Sequence, residues 1–331
     1  MCNQLTVQQT AQLLLERDRI LILSHQSPDG DTIGSGYALC RALHQLGKRA
    51  AVLCADAIPW RMTFVASGMK EALWLTPEQA EYVVAVDIAD VKLMGSALSQ
   101  YQQPGAVDLC IDHHPSNTRY ARDLLLCPKE AAACQILYDV ITAMGVSIDQ
   151  KIAQCLYLGI ATDTGCFRYS NTQSRSHEIV SKLMETGFDW YSINYRMFEL
   201  KTKAQMDLER RALQTLHFCC DGKAAMIAVT QEMLSQSGAT MDDVEGITAT
   251  ARNLEGVEIG ATLKERPEGG FKISVRTSES VDASAICAVF GGGGHIRASG
   301  CLIREPLEKA IRLLEERFAA ALAGTLPVFT D

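Results

Sequence analysis

Along the first half of the chain, short β-branched or apolar runs alternate with stretches of helical periodicity, the pattern of a parallel sheet flanked by helices. Residues 19–24 (RILILS) read as the first strand, followed by the polar turn SPDGD and an apolar helix over about 32–46. Gly47 stops that helix in the position of a C-terminal cap. Further strands are predicted at 50–54, 82–86 and 107–111. Three of the four strands run into segments rich in Asp or His, and ligands of open parallel sheets bind beyond the carboxyl ends of strands, so these segments should meet in one crevice.

Helical periodicity then takes over, at 131–144, 149–162, 174–186 and 191–216. The last stretch holds no Gly or Pro and ends in charged residues, which predicts one long helical connector. From residue 217 the pattern changes to strands (AAMIAVT, VEIGATLKE, FKISVRT), a helix at 283–290, the run GGGGH and a closing amphipathic helix over 306–322. The expected organisation is therefore an α/β domain over 1–190, a helical connector over 191–216 and a smaller α/β domain over 217–331, consistent with 331 residues at about 150 per domain.

With 47% hydrophobic and 21% charged residues, two sizeable cores can be buried and long disorder is excluded. No apolar run approaches the ~20 residues that span a bilayer, and the first residues carry no secretory signal, so a cytoplasmic location without membrane partners is expected. The net charge of −8 has the wrong sign for coating duplex phosphates, so a nucleic-acid substrate must be short or captured locally. Twelve scattered cysteines, with only Cys219 and Cys220 adjacent, read as reduced and mostly buried small hydrophobes. Neither a G-x-x-x-x-G-K-[ST] loop nor a G-x-G-x-x-G fingerprint is present, which removes the commonest ATP and NAD readings.

Four motifs carry the candidate chemistry. SHQSPDGDTIGS (24–35) places His25, Asp29 and Asp31 just after a strand, where both aspartates also read as caps of the next helix. VVAVDIAD ends a strand with Asp87, alone an ordinary loop residue; DLCIDHHPSN (108–117) sets Asp112, His113 and His114 after another; GIATDTGCFRYS (159–170) puts Asp163 at a helix end. Together they bring four aspartates and two or three histidines to one sheet edge. Four carboxylates without cations would repel severely, so the site makes sense chiefly with two divalent ions, which ~3.5–4 Å apart can hold a phosphate between them. Imidazole and carboxylate donors without cysteine suit manganese or a neighbouring transition metal better than calcium or magnesium. His44, His177 and His217 lack acidic neighbours at ligand spacing and read as surface or packing residues; Trp60, Trp74 and Trp190 read as isolated aromatics.

The ordered set SHxxPDGDxxGS, a strand-end Asp, DHHPSN, TDTGxFR and a C-terminal GGGGHxxASG resembles the DHH phosphoesterase family, in particular its NrnA-like branch of oligoribonucleases (nano-RNases) and 3′,5′-bisphosphate nucleotidases. The resemblance implies one metal ion on His25, Asp29 and Asp87 and a second on Asp31, Asp87, His113 and Asp163, with Asp87 bridging. His114 would lie beside the reacting phosphate, as acid or phosphate ligand, and Asp112 would orient the histidine pair. In the second domain it implies a substrate clamp of Arg276, Gly293, Gly294 and His295, where glycine allows backbone N–H groups to approach a phosphate. A flexible hinge is the simpler reading of the glycines, and an ordinary exposed strand residue that of Arg276. Arg297 has no such warrant and is expected to be solvent-exposed. By the same resemblance the substrates are short single-stranded RNA or DNA of two to five nucleotides, dinucleotides and 3′-phosphoadenosine 5′-phosphate (pAp), set in a cleft between the domains; the oligomeric state stays open, with a homodimer among the expected assemblies.

Related sites serve inorganic pyrophosphatases, long single-strand exonucleases and cyclic-dinucleotide or linear-dinucleotide phosphodiesterases. The basic string of the first, and the added segments of the long exonucleases and membrane-bound cyclic-dinucleotide enzymes, are not found in this chain. A non-catalytic nucleotide sensor is a reading of a different class, whose signature is loss of a metal ligand. All six ligand positions here carry competent residues.

Overall fold

A computed structural model describes residues 2–278 and 280–325. The chain divides into two compact units between Leu200 and Lys201.

The first unit contains β1 (Asn3–Gln4), α1 (Val7–Glu16), β2 (Ile20–Ser24), α2 (Gly30–Gln45), β3 (Ala50–Cys54), β4 (Tyr82–Val86), β5 (Leu109–Asp112), β6 (Asp123–Leu126), α3 (Ala133–Ala143), α4 (Gln150–Asp163), α5 (Ser174–Met184) and α6 (Trp190–Asn194). Its six strands form one sheet in the order β1-β6-β5-β4-β2-β3, parallel at every pairing. Strand β2 is buried throughout because it is apolar on both faces: Ile20 and Ile22 join the core under the helices, while Leu21 and Leu23 join a second cluster with Ile88, Met94 and Leu98. Helices cover the first face, and 3₁₀ turns at Val91–Met94 and Ser96–Gln102 contribute to the cover of the other. Strands β1 and β6 were not anticipated, being only two and four residues long, too short for a periodic signal.

The expected continuous helix over 191–216 is not formed. Helix α6 passes into a π-helical turn at Tyr195–Glu199, Leu200 turns extended, and a new helix α7 (Lys203–Leu213) starts behind Thr202, whose hydroxyl accepts from the Gln205 N–H. Thr is a favoured N-cap, so it can start a helix within a stretch that lacks Gly and Pro. Helix α7 packs Leu208 and Ala212 onto the second sheet.

The second unit continues with β7 (His217–Cys219), β8 (Ala224–Val229), α8 (Gln231–Ser237), β9 (Ile259–Glu265), β10 (Phe271–Thr277), α9 (Ala283–Ala288), β11 (Gly293–His295), β12 (Ala298–Ile303) and α10 (Leu307–Leu322). The sheet order is β11-β12-β10-β9-β8-β7, with only β8 and β9 parallel. One face buries Ile259, Ala261, Leu263, Phe271, Ile273 and Val275 with Ile286 of α9 and Leu314 and Phe318 of α10.

All twelve cysteines are free thiols; Cys40, Cys110, Cys134, Cys155, Cys287 and Cys301 are buried and the other six are partly exposed, so half rather than most are core residues. No helix among the described residues is long and apolar enough to cross a membrane.

Candidate metal centre and anion-binding face

The four motifs of the first unit do converge, and each ligand is aimed by a neighbour. His25 follows β2 and its Nδ1 bonds the Gln26 carbonyl at 2.8 Å, which leaves Nε2 to face Asp29 Oδ1 and Asp87 Oδ2, each at 3.7 Å. Asp29 is at once an N-cap and a member of the cluster: its Oδ1 accepts from the Asp31 and Thr32 N–H groups at 3.0 and 3.1 Å. The cap and ligand readings of this residue are therefore compatible.

Asp31 projects from α2 to the start of α3, where Ala132 in the N-cap position offers no side-chain acceptor. Its fully buried carboxylate takes the Ala133 and Cys134 N–H groups at 2.6 and 2.9 Å, capping a helix on which it does not reside. Gly159 makes room for it, since an added Cβ there would lie 2.5 Å from Asp31 Oδ1.

His113 bonds through Nδ1 to the Glu130 carbonyl at 3.1 Å, and its Nε2 stands 3.4 Å from Asp163, 3.5 Å from Asp87 and 3.8 Å from Asp31. Asp163 ends α4, and its main-chain carbonyl accepts from Asn171 Nδ2. Asp87, 2% exposed, lies between the two histidine ligands with φ +57°. A left-handed non-glycine residue costs about 1–2 kcal/mol, a strain of the kind held at functional sites.

Three overlapping ligand groups result: His25, Asp29 and Asp87; Asp31, His113 and Asp163; and Asp87 with His113 and His114. Asp87 Oδ1 and His113 Nε2 are buried without any hydrogen-bond partner, although buried polar atoms are nearly always satisfied. Two orphaned atoms of ligand type, facing each other among carboxylates, are what a cation-binding site shows when only its protein atoms are counted. The electrostatics agree. Burial and the neighbouring carboxylates push Asp31 and Asp163 well above the usual Asp range. Burial would lower His25, but Asp29 and Asp87 outweigh it and raise it to about 11; His113 is raised by Asp87, Asp31 and Asp163 against the same opposition. In this arrangement protons carry the balancing positive charge, and a divalent ion can replace them. The residues fit such ions.

Asp112 is fully buried and stands apart from the ligand groups. It accepts from Asn117 Nδ2 at 2.6 Å, from the His113 N–H at 2.8 Å and from His114, whose Nδ1 lies 2.8 Å away. Burial opposes its charge, but the bonds from His114 and Asn117 hold the carboxyl below its ordinary value, while the Asp112 bond raises His114. Asn117 closes the quoted DHHPSN string, yet its role needs the fold, because the link to Asp112 is made by a turn rather than by sequence periodicity. Glu130 and Asn171 carried no signal either, one acting through its backbone and the other through a carbonyl eight residues away.

The clamp residues of the second unit also come together. Arg276 of β10 is opposite Ala298 of β12, which is opposite His295 of β11, so Arg276 and His295 share one sheet face with only a methyl group between them. Gly294 has φ +148°, and a Cβ there would press within 2.7 Å of the Ala298 carbonyl, so this glycine serves hairpin closure; Gly293 is exposed with open space around it. The second half of the run, Gly293–His295, is thus a strand rather than a loose hinge. Arg297, expected in solvent, is partly buried: the tight β11–β12 turn folds it back so that Nη1 donates to the Ser278 and Val281 carbonyls at 2.6 and 2.9 Å.

Among the remaining expectations, His44 is buried against the Ala50 carbonyl, His177 packs on Phe167, and His217 pairs with Glu315 at 2.7 Å. Trp190 is not isolated: it meets Tyr191 edge-on, and Tyr191 stacks on Tyr195 one helical turn later, all three exposed.

The model of the DHH family, N-terminal domain, matches residues 19–160, and that of the DHHA1 domain matches residues 222–320. The chain is 30% identical over 91% of its length to the bifunctional oligoribonuclease and PAP phosphatase NrnA of Thermus thermophilus, covering 91% of that protein, and 24% identical over 86% to the protein of the same name from Bacillus subtilis, covering 90% of it. Among solved structures, an exopolyphosphatase-related protein from Bacteroides fragilis superposes with a TM-score of 0.84 at 24% identity, covering 94% of both chains. RecJ from Thermus thermophilus, solved in complex with Mn2+, gives 0.56 at 16% identity over 95% of this chain and 54% of its own. Both structures share the fold. With two domain models in order and a 30% relative matched nearly end to end, the chain belongs to the DHH family and is a hydrolase of phosphoester bonds.

Proposed function

We propose that the chain cleaves oligonucleotides of two to five residues to mononucleotides and dephosphorylates pAp, using two divalent ions, manganese foremost. The observation that carries this reading is the set of three overlapping ligand groups, two of them containing Asp87, together with the orphaned Asp87 Oδ1 and His113 Nε2. The names of the relatives supply the substrate class. His25, Asp29 and Asp87 would hold one ion, and Asp31, Asp87, His113 and Asp163 the other. Such ions supply Lewis acidity, acidifying water as the nucleophile and neutralising phosphate charge.

The chain's own residues do the rest. Asp112, fixed by Asn117, occupies His114 Nδ1 and favours the charged imidazole, leaving the Nε2 proton for the leaving oxygen. Arg276 and His295 provide hydrogen-bond donors for a second phosphate of the substrate, which both pAp and a short oligonucleotide carry.

A panel of pAp, linear dinucleotides and RNA and DNA of two to about twenty nucleotides at fixed manganese and salt tests this. Efficiency per molecule should peak at two to five nucleotides. A flat or rising series overturns the length preference, and absence of hydrolysis throughout overturns the reading itself.

A further inference from the structure

The second sheet is covered unequally on the face opposite α9 and α10. Over β8, this face is buried under α7 and its neighbours through Ala225, Ile227 and Val229. Over β10, β12 and β11 the same face carries Lys272, Ser274 and Arg276, then Leu302, Gly300 and Ala298, then Gly293 and His295, all exposed or partly so. The register sets them in rows. Arg276, Ala298 and His295 form one, and Ser274, Gly300 and Gly293 the next; Lys272 and Leu302 form the third.

No Asp or Glu stands among these positions, in a chain whose net charge is −8. Small residues pave the centre, so an extended backbone can lie close to the strands. Lys272 is exposed, and no described residue pairs with it; its neighbour on β9, Lys264, is buried and has its own partner. An exposed ammonium on a stretch of face without carboxylates favours an anion beside it.

Spacing decides what that anion is. Two residues of strand cover about 7 Å, close to the step between phosphates of an extended single strand, so Arg276, Ser274 and Lys272 form a ladder in phosphate register. Lys272 lies about 14 Å from Arg276, two nucleotide steps away.

Resting on the function proposed above, we infer that Lys272 is a length-reading phosphate contact: it engages a phosphate two nucleotides from the one at Arg276, with the Ser274 hydroxyl between them. A dinucleotide or pAp is too short to reach both. A tetranucleotide is not.

The experiment compares kcat and KM of unmodified chain, Lys272→Ala and Lys272→Arg on pAp and on RNA of two to five nucleotides, with equilibrium binding of a phosphorothioate tetranucleotide as a second readout. For Lys272→Ala, the ratio of tetranucleotide to dinucleotide kcat/KM should fall about three- to tenfold through KM, tetranucleotide binding should weaken equally, and Lys272→Arg should keep both. An unchanged ratio, or a loss equal at every length, overturns the inference. If the unmodified chain cleaves neither dinucleotide nor tetranucleotide, the proposed function fails first, before Lys272 is tested.

Discussion

The two candidate regions solve opposite problems. In the first unit, Asp31 and Asp112 are fully buried, each held by at least two donors, and both histidine ligands have Nδ1 tied to a main-chain carbonyl. In the second, His295 is exposed and, among the described residues, Arg276 makes a single bond, to the carbonyl of Val275 beside it. Ligands that set charge and position at a reacting phosphorus must be fixed within fractions of an ångström, whereas a phosphate anchor works through charge and tolerates rotamer freedom. Changes in the first region should therefore strike kcat and metal content, and changes in the second KM.

Asp87 offers the sharpest break. Asp87→Ala should lower kcat by about a thousandfold or more and abolish stoichiometric metal in elemental analysis, since two of the three ligand groups lose a member. Asp87→Gly refines the comparison, because glycine accepts φ +57° without penalty and removes one repelling carboxylate. That variant should be as inactive as the alanine variant and yet melt, metal-free, above the unmodified chain. A metal-free protein with full activity would sink the metal reading.

His114 and His113 are adjacent but should behave differently. His114→Ala should cost about a hundredfold in kcat with metal content retained, as general-acid groups contribute on that scale. His113→Ala should lose metal as well, because its Nε2 faces three carboxylates. Equal metal loss in the two variants would show the pair to be assigned wrongly.

Much of this was legible in the chain itself, for identifiable reasons. Strands β2 and β4 are apolar on both faces and end in His25 and Asp87, so their position followed from composition alone. Strand β6 and the break at Leu200 were not legible: one is four residues with no periodicity, the other depends on a Thr cap that resembles any exposed Thr. Asp29, Asp31, Asp87, His113 and Asp163 could be named because each follows a strand or ends a helix. Asn117, Glu130 and the α3 N–H groups that hold Asp31 could not, since they act across the fold. Arg297 failed as a surface residue because its solvent exposure depended on a two-residue turn.

Proton competition separates the regions by pH. The raised Asp31 and Asp163 hold protons in the folded metal-free chain that they release above about pH 4 when unfolded, and His25, raised to about 11, holds one that the unfolded chain loses above about 6.5. Folded chain thus binds more protons than unfolded across this window, so metal-free stability falls as pH rises through it. Metal replaces those protons, and its affinity should rise with pH. Melting curves at about pH 6 and about pH 8, with and without manganese, should show a gap that widens at the higher pH. A gap independent of pH would mean that the carboxylates are already ionised without metal.

The smallest effects belong to the second unit. Arg276→Ala and His295→Ala should each raise KM for a dinucleotide about tenfold or less, with kcat and metal content nearly intact, because a solvent-accessible contact is worth little next to a buried ligand. The Arg276 guanidinium should carry a salt-sensitive share of binding. Replacing Arg276 should therefore flatten the dependence of KM on salt. The two residues share a face across Ala298, so their effects should fall short of additive if one phosphate bridges them. Full additivity in the double variant would place them on separate phosphates, and a kcat loss in either variant comparable to that of His114→Ala would erase the division between a region that reacts and a region that holds.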